Sequence, residues 1–384
     1  MHQEVYFNKG LWYRLPIMKT RHRSYLRLCL LHWYDNQGRN LPWRKTKNPY
    51  HIWLSEVMLQ QTQVTTVIPY YTNFLKTFPT LYTLGRSKIS RVLKLWEGLG
   101  YYSRGRNLHQ AARLVQKNFK GHIPTCRREL ESLPGIGRST AGAILSLAYN
   151  QREPILDGNV KRVLSRLFAV KESPKDPHVI QKLWVYSEQL LPLKRVSDFN
   201  QALMDLGATV CTPKNPQCHL CPIERCCLAK ANGEENLIPV SIKKKPVPHR
   251  YFLVGIVKDE GKILIQQRPH QGLLGGLWEF PTFELDCPPE TNGNLTKELN
   301  KKMGFDVEVQ NGMKPVSHTY THFKGHYHPF LCLFRDKKKR GQWLWVPPTR
   351  IYNYPFSKVY QKMIQQMDSS GFTSGEPLTS FDSF

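Results

Sequence analysis

The sequence predicts a mostly helical domain followed by an α+β domain. Between about residue 25 and residue 230, apolar residues recur at steps of three and four, which is the spacing of helices that bury one face. Beyond residue 250 the apolar residues follow a period of two, as strands do. Because a single core rarely grows past roughly 250–300 residues, a chain of 384 residues is expected to form two domains.

Apolar stripes predict individual elements within these domains. One stripe runs without interruption from Leu54 to Ile68, with Gln61 as a polar residue on it, and predicts one helix. Two further stripes predict helices over 141–148 and 160–168. In the second domain, the alternating segments 251–257 and 262–267 predict a β-hairpin with its turn at 258–261.

Local composition sets the domain boundaries. Three lysines at 243–245 precede Pro246 and Pro248, and such a segment cannot hold a regular element. The last residues are rich in Ser, Gly and Thr, as solvated tails are. We therefore expect a tail over 1–20, a helical domain over 21–232, a linker over 233–249, an α+β domain over 250–365 and a tail over 366–384.

The charge of the chain indicates a polyanionic partner. It carries 55 Lys and Arg against 29 Asp and Glu, a formal net charge of +26, and the basic residues are scattered instead of lying on one amphipathic helix. This favours nucleic acid over a membrane surface. No segment reaches the roughly 18 apolar residues of a membrane span, and the N-terminus lacks the apolar core of a signal peptide. We expect a soluble, intracellular protein.

Four of the nine cysteines form a cluster in the sequence. Cys211, Cys218, Cys221 and Cys227 have the spacing C-x6-C-x2-C-x5-C, interrupted by prolines. A zinc knuckle more often has two CxxC pairs, so the single CxxC and the irregular spacing favour a [4Fe-4S] cluster. The neighbouring Cys226 leaves a shift of the ligand register by one residue open.

A glycine-rich turn and a carboxylate follow one another in the helical domain. In Leu133-Pro134-Gly135-Ile136-Gly137, Gly135 and Gly137 permit a tight turn that presents N–H groups at a helix start, which suits a phosphate. Asp157 lies twenty residues after Gly137 and precedes Gly158-Asn159-Val160. This position predicts a helix N-cap, which would also keep the carboxylate ionised.

The hairpin, the aspartate and the cysteine spacing together resemble the helix-hairpin-helix base-excision glycosylases of the endonuclease III superfamily, over about residues 25–230. Within that superfamily, segments 41–44, 53–64, 98–102 and 156–162 resemble the adenine DNA glycosylases of the MutY type. The resemblance implies hydrolysis of the N-glycosidic bond of adenine opposite 8-oxoguanine or guanine in double-stranded DNA, leaving an abasic site, by a protein that we expect to be a monomer.

Two carboxylates are the candidates for the chemistry. Glu56 lies between apolar neighbours, so its pKa should be raised and it can act as the acid that protonates the purine. Asp157, kept charged at its helix end, stabilises or traps the sugar cation. The resemblance implies that Asn159 supports Asp157.

Further residues are candidates for DNA contacts. An enzyme that acts on a base in duplex DNA must flip it out and fill the gap, and Gln61 and Tyr101 are the candidates to enter the stack, unless they are core residues. Ser139 joins Gly135 and Gly137 in the hairpin, at the position where the strand-cutting members of the superfamily carry a lysine. Without an amine nucleophile, strand cutting is not expected. The resemblance also implies an adenine pocket lined by Trp43, Arg44 and Gln201.

The second domain resembles a Nudix domain without its metal site. The Nudix frame begins after Leu277-Trp278-Glu279-Phe280-Pro281, but Lys301 and Lys302 stand where the paired glutamates should be, so an anion rather than Mg²⁺ is attracted. The resemblance implies a module that reads 8-oxoguanine with Tyr320, Thr321 and His322. A His-rich surface loop, with or without a metal, is the alternative for His318, His322, His326 and His328.

Two other functions compete with adenine excision. A glycosylase/lyase of the thymine-glycol type is disfavoured by Ser139 and by the second domain. A DNA-bound iron–sulfur protein without catalysis is disfavoured by Glu56 and Asp157, and a Nudix hydrolase by Lys301 and Lys302.

Overall fold

The computed structural model describes residues 20–240, 246–289, 295–336 and 343–369. Its contacts divide the chain into two compact units, one comprising Met1–Gly85 with Gln110–Lys243 and the other Arg86–His109 with Lys244–Phe384. Residues 1–19 and 370–384 of the expected tails, and 241–245 of the expected linker, lie outside the described residues. In the described ranges, no helix is long and apolar enough to cross a membrane.

The first unit and the segment 86–109 contain helices and short turns. In chain order the helices are α1 (Thr20–Gln37), α2 (Pro49–Leu59), α3 (Val64–Thr77), α4 (Leu81–Arg86), α5 (Ile89–Leu95), α6 (Ser103–Asn118), α7 (Arg127–Glu131), α8 (Arg138–Tyr149), α9 (Gly158–Leu167), α10 (Pro177–Leu190), α11 (Val196–Thr209) and α12 (Leu228–Ala231). Single turns of 3-10 helix lie at Pro42–Arg44, Cys218–Leu220 and Glu224–Cys226.

The main helical core forms where α1, α9, α10 and α11 pack together. The stripe predicted over 160–168 is buried there, with Val160, Val163, Leu164 and Leu167 almost inaccessible to solvent. A second contact joins α2 to α8 through an apolar cluster that includes Ile52. These two packings place the helix that carries Glu56 and the helix that begins after Asp157 within one unit.

The long stripe from Leu54 to Ile68 does not form one helix. Helix α2 ends at Leu59 and α3 begins at Val64, because Gln61 has a left-handed φ of 56° that breaks the helical path. Gln61 is exposed and is therefore not a core amide.

The second unit is built on a mixed eight-stranded sheet. Its elements in chain order are β1 (His249–Asp259), β2 (Lys262–Gln267), β3 (Trp278–Glu279), β4 (Thr282–Leu285), α13 (Leu295–Met303), β5 (Val307–Gly312), β6 (Val316–Thr319), β7 (Lys324–Phe334), β8 (Leu344–Val346), a 3-10 segment (Pro348–Asn353) and α14 (Lys358–Ser369). The strand order is β3-β2-β1-β7-β5, with β4 pairing with β1, β6 with β7 and β8 with β2.

Strand β1 shows how the sequence pattern builds this unit. Leu253 and Val257 point into a core shared with α13, whereas Val254 and Ile256 point into a core shared with α14. Gly255 lies on the α13 side, where an added Cβ would stand 2.1 Å from the Met303 methyl group. The predicted mostly helical domain followed by an α+β domain is confirmed.

The predicted hairpin is present, and its turn has a clear cause. Strands β1 and β2 pair antiparallel through Lys258 and Ile263, and the turn residues Glu260 and Gly261 both have positive φ, 43° and 73°. Two such residues form the kind of two-residue turn that matches the twist of paired strands.

Three details differ from the expected boundaries. Segment 86–109 groups with the second unit, although the sequence analysis assigns it to the helical domain. Residue 238 of the expected linker is packed, since Ile238 is 2% exposed and its carbonyl accepts a hydrogen bond of 2.7 Å from Arg166. Residues 366–369 continue α14 instead of starting a tail, because Met367 is fully buried.

Candidate active site

Glu56 lies in the last turn of α2, which ends at Leu59. The helix begins at Pro49, and the side chain of the preceding Asn48 accepts a hydrogen bond of 2.9 Å from the Tyr50 N–H, which satisfies a free donor of the first turn. Glu56 as a whole residue is half-buried, and its neighbours Ser55 and Val57 are buried. Burial, and to a smaller extent the negative charge of Asp157, raise the pKa of Glu56 to about 7, against the positive charge of Arg44. This carboxyl group can therefore hold a proton near neutrality.

Asp157 is the N-cap of α9, as predicted. One carboxylate oxygen accepts a hydrogen bond of 2.7 Å from the Val160 N–H and the other accepts one of 3.2 Å from the Asn159 amide. Burial raises the pKa of Asp157 above its ordinary value, although these hydrogen bonds and the charge of Arg162 act to lower it. The hydrogen bonds at the helix end therefore counteract the effect of burial on the pKa of Asp157, but this pKa still lies above its ordinary value.

Asn159 is itself held in place by Arg162. Its amide oxygen accepts a hydrogen bond of 2.8 Å from Arg162, whose guanidinium also donates to the carbonyl oxygens of Gly207 at 2.6 Å and Cys211 at 2.8 Å. An added Cβ at Gly207 would lie 2.6 Å from the Asn159 Cβ, so α11 can approach this close only with a glycine at that position. The support of Asp157 thus extends to the start of the cysteine loop.

The predicted hairpin lies between α7 and α8. Gly135 has a φ of 79°, which favours glycine, and Gly137 is the N-cap of α8. The Ser139 hydroxyl accepts a hydrogen bond of 3.2 Å from the N–H of Leu156. Ser139 therefore fastens the residue that precedes Asp157, a contact that the sequence does not indicate.

The three predicted adenine-pocket residues line a single cavity, together with Thr46, Lys47, Ile52, Ser55 and Leu147. Trp43 is buried and packs edge-on against Tyr71, with ring centroids 5.4 Å apart. The Gln201 amide donates to the Ser197 carbonyl at 3.3 Å. Arg44 donates to both carboxylate oxygens of Asp205, at 2.6 and 2.7 Å.

Each candidate for the DNA wedge lies in a strained turn. Gln61 is exposed in the α2–α3 turn of the first unit, and Tyr101 is 48% exposed in the α5–α6 loop of the second. Tyr101 has a left-handed φ of 47°, a conformation that costs a non-glycine residue energy and that is often found at functional sites. Neither side chain is a core residue.

The four predicted cysteines line one cavity of the first unit, together with Arg166 and five other residues. All four are free thiols, and Arg166 donates a hydrogen bond of 3.2 Å to the Cys211 sulfur. Cys226 packs against the helical core, as Cys211, Cys221 and Cys227 also do, but it is not one of the residues that line this cavity. Among the described residues, no three His, Cys, Asp or Glu side chains are grouped closely enough for a single metal ion. The four-thiol donor set around a cavity fits a cluster, in which each cysteine binds a different iron, better than a lone ion.

The predicted lesion-reading turn joins β6 to β7. Thr321 and His322 are exposed, whereas Tyr320 is half-buried. The Tyr320 hydroxyl hydrogen-bonds the Tyr327 hydroxyl at 2.9 Å, and its ring stacks on Phe323 with centroids 4.6 Å apart. Tyr320 therefore anchors the turn, and the other two residues form its accessible tip.

Comparison with known proteins agrees with this arrangement. Residues 54–189 match the HhH-GPD superfamily of base excision DNA repair proteins, and residues 253–366 match the NUDIX domain. The chain is 37% identical to the adenine DNA glycosylase of Buchnera aphidicola subsp. Schizaphis graminum, over 88% of this chain and 96% of that protein. The chain belongs to the adenine DNA glycosylase family. The adenine DNA glycosylase of Homo sapiens is likewise 37% identical, over 77% of this chain and 64% of the human protein.

The helical part alone is similar to a wider group of enzymes. The solved structure of a thermostable thymine-DNA glycosylase superposes on 55% of this chain and 98% of its own length, with a TM-score of 0.51 and 28% identity. The relatives of the adenine DNA glycosylase family quoted above extend across both halves of the chain. The predicted family is thus confirmed.

Asp205 holds Arg44 at the candidate pocket of this family member and is not among the residues predicted from the sequence. It is fully buried on α11 and accepts hydrogen bonds from Arg39 as well as Arg44. Burial would raise the pKa of Asp205, but the hydrogen bonds and charges of Arg44 and Arg39 hold it below its ordinary value. The sequence does contain one indication that Asp205 is a buried, paired carboxylate. It lies between the apolar residues Leu203 and Leu206 of a helix, and an acidic residue is rare in a core unless its charge is paired.

The remaining predicted features of this family member lie in the second unit. Lys301 and Lys302 are exposed on the last turn of α13, so no carboxylate pair stands there. His326 hydrogen-bonds His249 at 3.2 Å. Among the described residues, the histidines at 318–328 are not grouped as three candidate ligands of one metal ion.

Proposed function

We propose that this chain hydrolyses the N-glycosidic bond of adenine opposite 8-oxoguanine or guanine in duplex DNA and leaves an abasic site. The observation that carries the proposal is a pair of carboxylates with different environments, Glu56 with a pKa of about 7 and the hydrogen-bonded N-cap Asp157. Such a pair divides the roles of acid and charge stabiliser. Adenine is the proposed base because the relatives that span both halves are adenine DNA glycosylases.

The chemistry follows from these two environments. Glu56 donates its proton to the purine ring, the C–N bond breaks, and its electron pair leaves with the base. The sugar is left with positive charge, which the Asp157 carboxylate stabilises. Water then adds to the sugar carbon and returns a proton to Glu56. Asn159 and Arg162 position Asp157 for this step through the hydrogen bonds described above.

The cavity lined by Trp43, Arg44 and Gln201 marks the proposed base pocket. Trp43 offers an apolar wall, and the Gln201 amide oxygen is the type of acceptor that the exocyclic amine of adenine needs. Arg44 is fixed by its two hydrogen bonds to Asp205, so this side chain is already oriented before adenine arrives.

The enzyme acts without cutting the strand. A strand-cutting glycosylase needs an amine nucleophile, whereas Ser139 has only a hydroxyl that already accepts a hydrogen bond from the Leu156 N–H.

Cys211, Cys218, Cys221 and Cys227 hold a [4Fe-4S] cluster. When bound, the cluster cross-links a loop that has few apolar residues of its own, and so contributes to folding. Arg166 lies behind it and donates to the Cys211 sulfur as well as to the carbonyl of Thr212.

Double-stranded DNA is the partner, as the net charge of +26 favours. The N–H groups of the hairpin at Gly135, Gly137 and Ser139 bind a phosphate. Gln61 and Tyr101 enter the stack when the adenine is flipped out. Thr321 and His322, with Tyr320 behind them, read the opposite 8-oxoguanine. The protein acts as an intracellular monomer.

The test is a glycosylase assay with 8-oxoguanine:adenine, guanine:adenine and thymine-glycol duplexes. Release of free adenine from the first two, with strand breaks appearing only after alkali treatment, is expected. Direct strand cleavage, or release from the thymine-glycol duplex alone, would overturn the proposal in favour of a lyase.

A further inference from the structure

The loop that presents Tyr101 is constrained from within. Gly98 and Gly100 have φ values of 91° and 77°, and the Trp96 indole donates a hydrogen bond of 3.2 Å to the Gly100 carbonyl. The Arg104 guanidinium donates to the carbonyls of Leu99 and Gly100 at 3.3 and 3.1 Å. These contacts fix the shape of the loop, but not its position relative to the rest of the second unit.

Three contacts from the C-terminal half of the second unit fix that position. Glu97, directly before Gly98, accepts a hydrogen bond of 2.8 Å from the backbone N–H of Phe356. Lys94 pairs with Glu97 at 2.5 Å and donates to the Tyr354 carbonyl at 3.2 Å. On the other side of the loop, Arg106 donates to the Gly275 carbonyl at 2.6 Å. The loop is thus held at both of its ends.

The segment that accepts these contacts belongs to the core of the C-terminal half. Phe356 is 1% exposed, and its ring lies against those of Phe280 and Tyr360. Tyr360 contacts Tyr327 edge-on at 6.2 Å, and Tyr327 is the residue whose hydroxyl bonds Tyr320. The turn proposed to read the opposite base and the loop proposed to enter the stack are therefore parts of one packed body.

The position of this loop determines where the Tyr101 side chain lies. A left-handed φ at a non-glycine residue persists only where the surroundings hold it. Because the Tyr101 ring is exposed, it is positioned by its loop and not by packing of the ring itself.

We propose that Glu97 and Arg106 are positioning residues through which the C-terminal domain holds the Tyr101 loop, so that opposite-base recognition and insertion of Tyr101 depend on one another. This inference rests on the proposed function. Glu97 acts through its oxygen on the Phe356 N–H, and Arg106 acts through its donor on the Gly275 carbonyl.

The experiment uses the full-length protein and a duplex with 2-aminopurine beside the mispair, whose fluorescence rises when the stack opens. Glu97→Ala is expected to reduce this rise and to lower the single-turnover rate on the 8-oxoguanine:adenine duplex by about tenfold, the usual effect of losing one charged hydrogen bond. Glu97→Gln, whose amide oxygen can still accept from Phe356, should restore both. Arg106→Ala and Arg106→Lys form a second pair with the same expectation.

A merely structural role is distinguished by combining variants. If Glu97 acts through the loop, Glu97→Ala should add little to the effect of Tyr101→Ala. Full additivity, or equal fluorescence for Glu97→Ala and wild type, would overturn the inference. Failure of wild type to release adenine would instead overturn the proposed function, and the fluorescence measurement would still test the loop.

Discussion

Arg44 donates two parallel hydrogen bonds of 2.6 and 2.7 Å to the carboxylate of Asp205. Arg44 lies at the wall of the cavity that Trp43 and Gln201 also line. Paired contacts of this kind fix a guanidinium in both position and orientation. Because Asp205 is fully buried, water cannot take the place of Arg44 as the partner of its carboxylate. The shape of the pocket therefore depends on this ion pair.

We therefore expect Asp205→Asn to destabilise the protein by about 3–5 kcal/mol, since it leaves the half-buried guanidinium groups of Arg39 and Arg44 without the charge of the buried carboxylate. Urea unfolding measures this loss. Asp198→Asn, on the same helix but more exposed and paired with Arg195, is the control and should cost less than about 1 kcal/mol. Equal losses for the two variants would show that the Arg44–Asp205 pair has no special role.

Glu56→Gln should abolish adenine release while leaving duplex affinity near that of wild type. The amide preserves the shape of the side chain but cannot donate the proton, and general acid catalysis is typically worth about 10²–10⁴ in rate. Single-turnover release and a binding titration on the same 8-oxoguanine:adenine duplex separate the two effects. A variant retaining more than about one hundredth of the wild-type rate would remove Glu56 from the acid role.

The pH dependence should follow the same carboxyl group. Glu56 is active only when protonated, and its pKa is raised to about 7, so the single-turnover rate should be level below that pH and fall about tenfold per unit above it. The raised pKa also means that Glu56 contributes stability below its ordinary pKa and that this contribution is lost as the pH rises toward about 7. A rate that rises with pH through neutrality would contradict the assignment.

The cysteine register is tested by five serine variants. Cys211→Ser, Cys218→Ser, Cys221→Ser and Cys227→Ser should each lower the iron content and the soluble yield, because cluster binding is coupled to folding. Cys226→Ser should do neither, since Cys226 is not one of the residues that line the cavity. Iron loss with Cys226→Ser but not with Cys227→Ser would shift the register by one.

Changing Thr321 and His322 together to Ala should reduce the preference for 8-oxoguanine:adenine over guanine:adenine with little loss of general affinity. Base contacts specify whereas phosphate contacts position, and both side chains are exposed. Competition between the two duplexes measures the preference. Unchanged preference would place lesion reading elsewhere, with Gln61 and Tyr101 as the next candidates.

The sequence predicts elements well where a local rule decides them. The N-cap at Asp157, the glycines of the hairpin and the turn at Glu260 and Gly261 all follow from preferences of single residues. The four cysteines and the three pocket residues also come together as the resemblance implies.

What the sequence does not predict depends on backbone reversals and distant partners. The apolar stripe of α2 continues in phase into α3, so the periodicity does not detect the left-handed Gln61 between them. The apolar neighbours of Asp205 suggest a buried charge, but the sequence does not show which cations pair with it, because Arg39 and Arg44 lie 166 and 161 residues away. Burial at Asp157 likewise depends on neighbours that the local sequence does not name.

The grouping of segment 86–109 with the C-terminal half bears on how this protein can be divided or recombined. A cut at the linker yields a C-terminal fragment that lacks the partner of the Phe356 N–H and an N-terminal fragment whose α5 has lost its packing. A chimera that transplants residues 244–384 onto another helical glycosylase should therefore need residues 86–109 of this chain as well. The unit that we propose reads the lesion is encoded by two separate stretches of the gene, and exchange of the C-terminal stretch alone transfers only part of it.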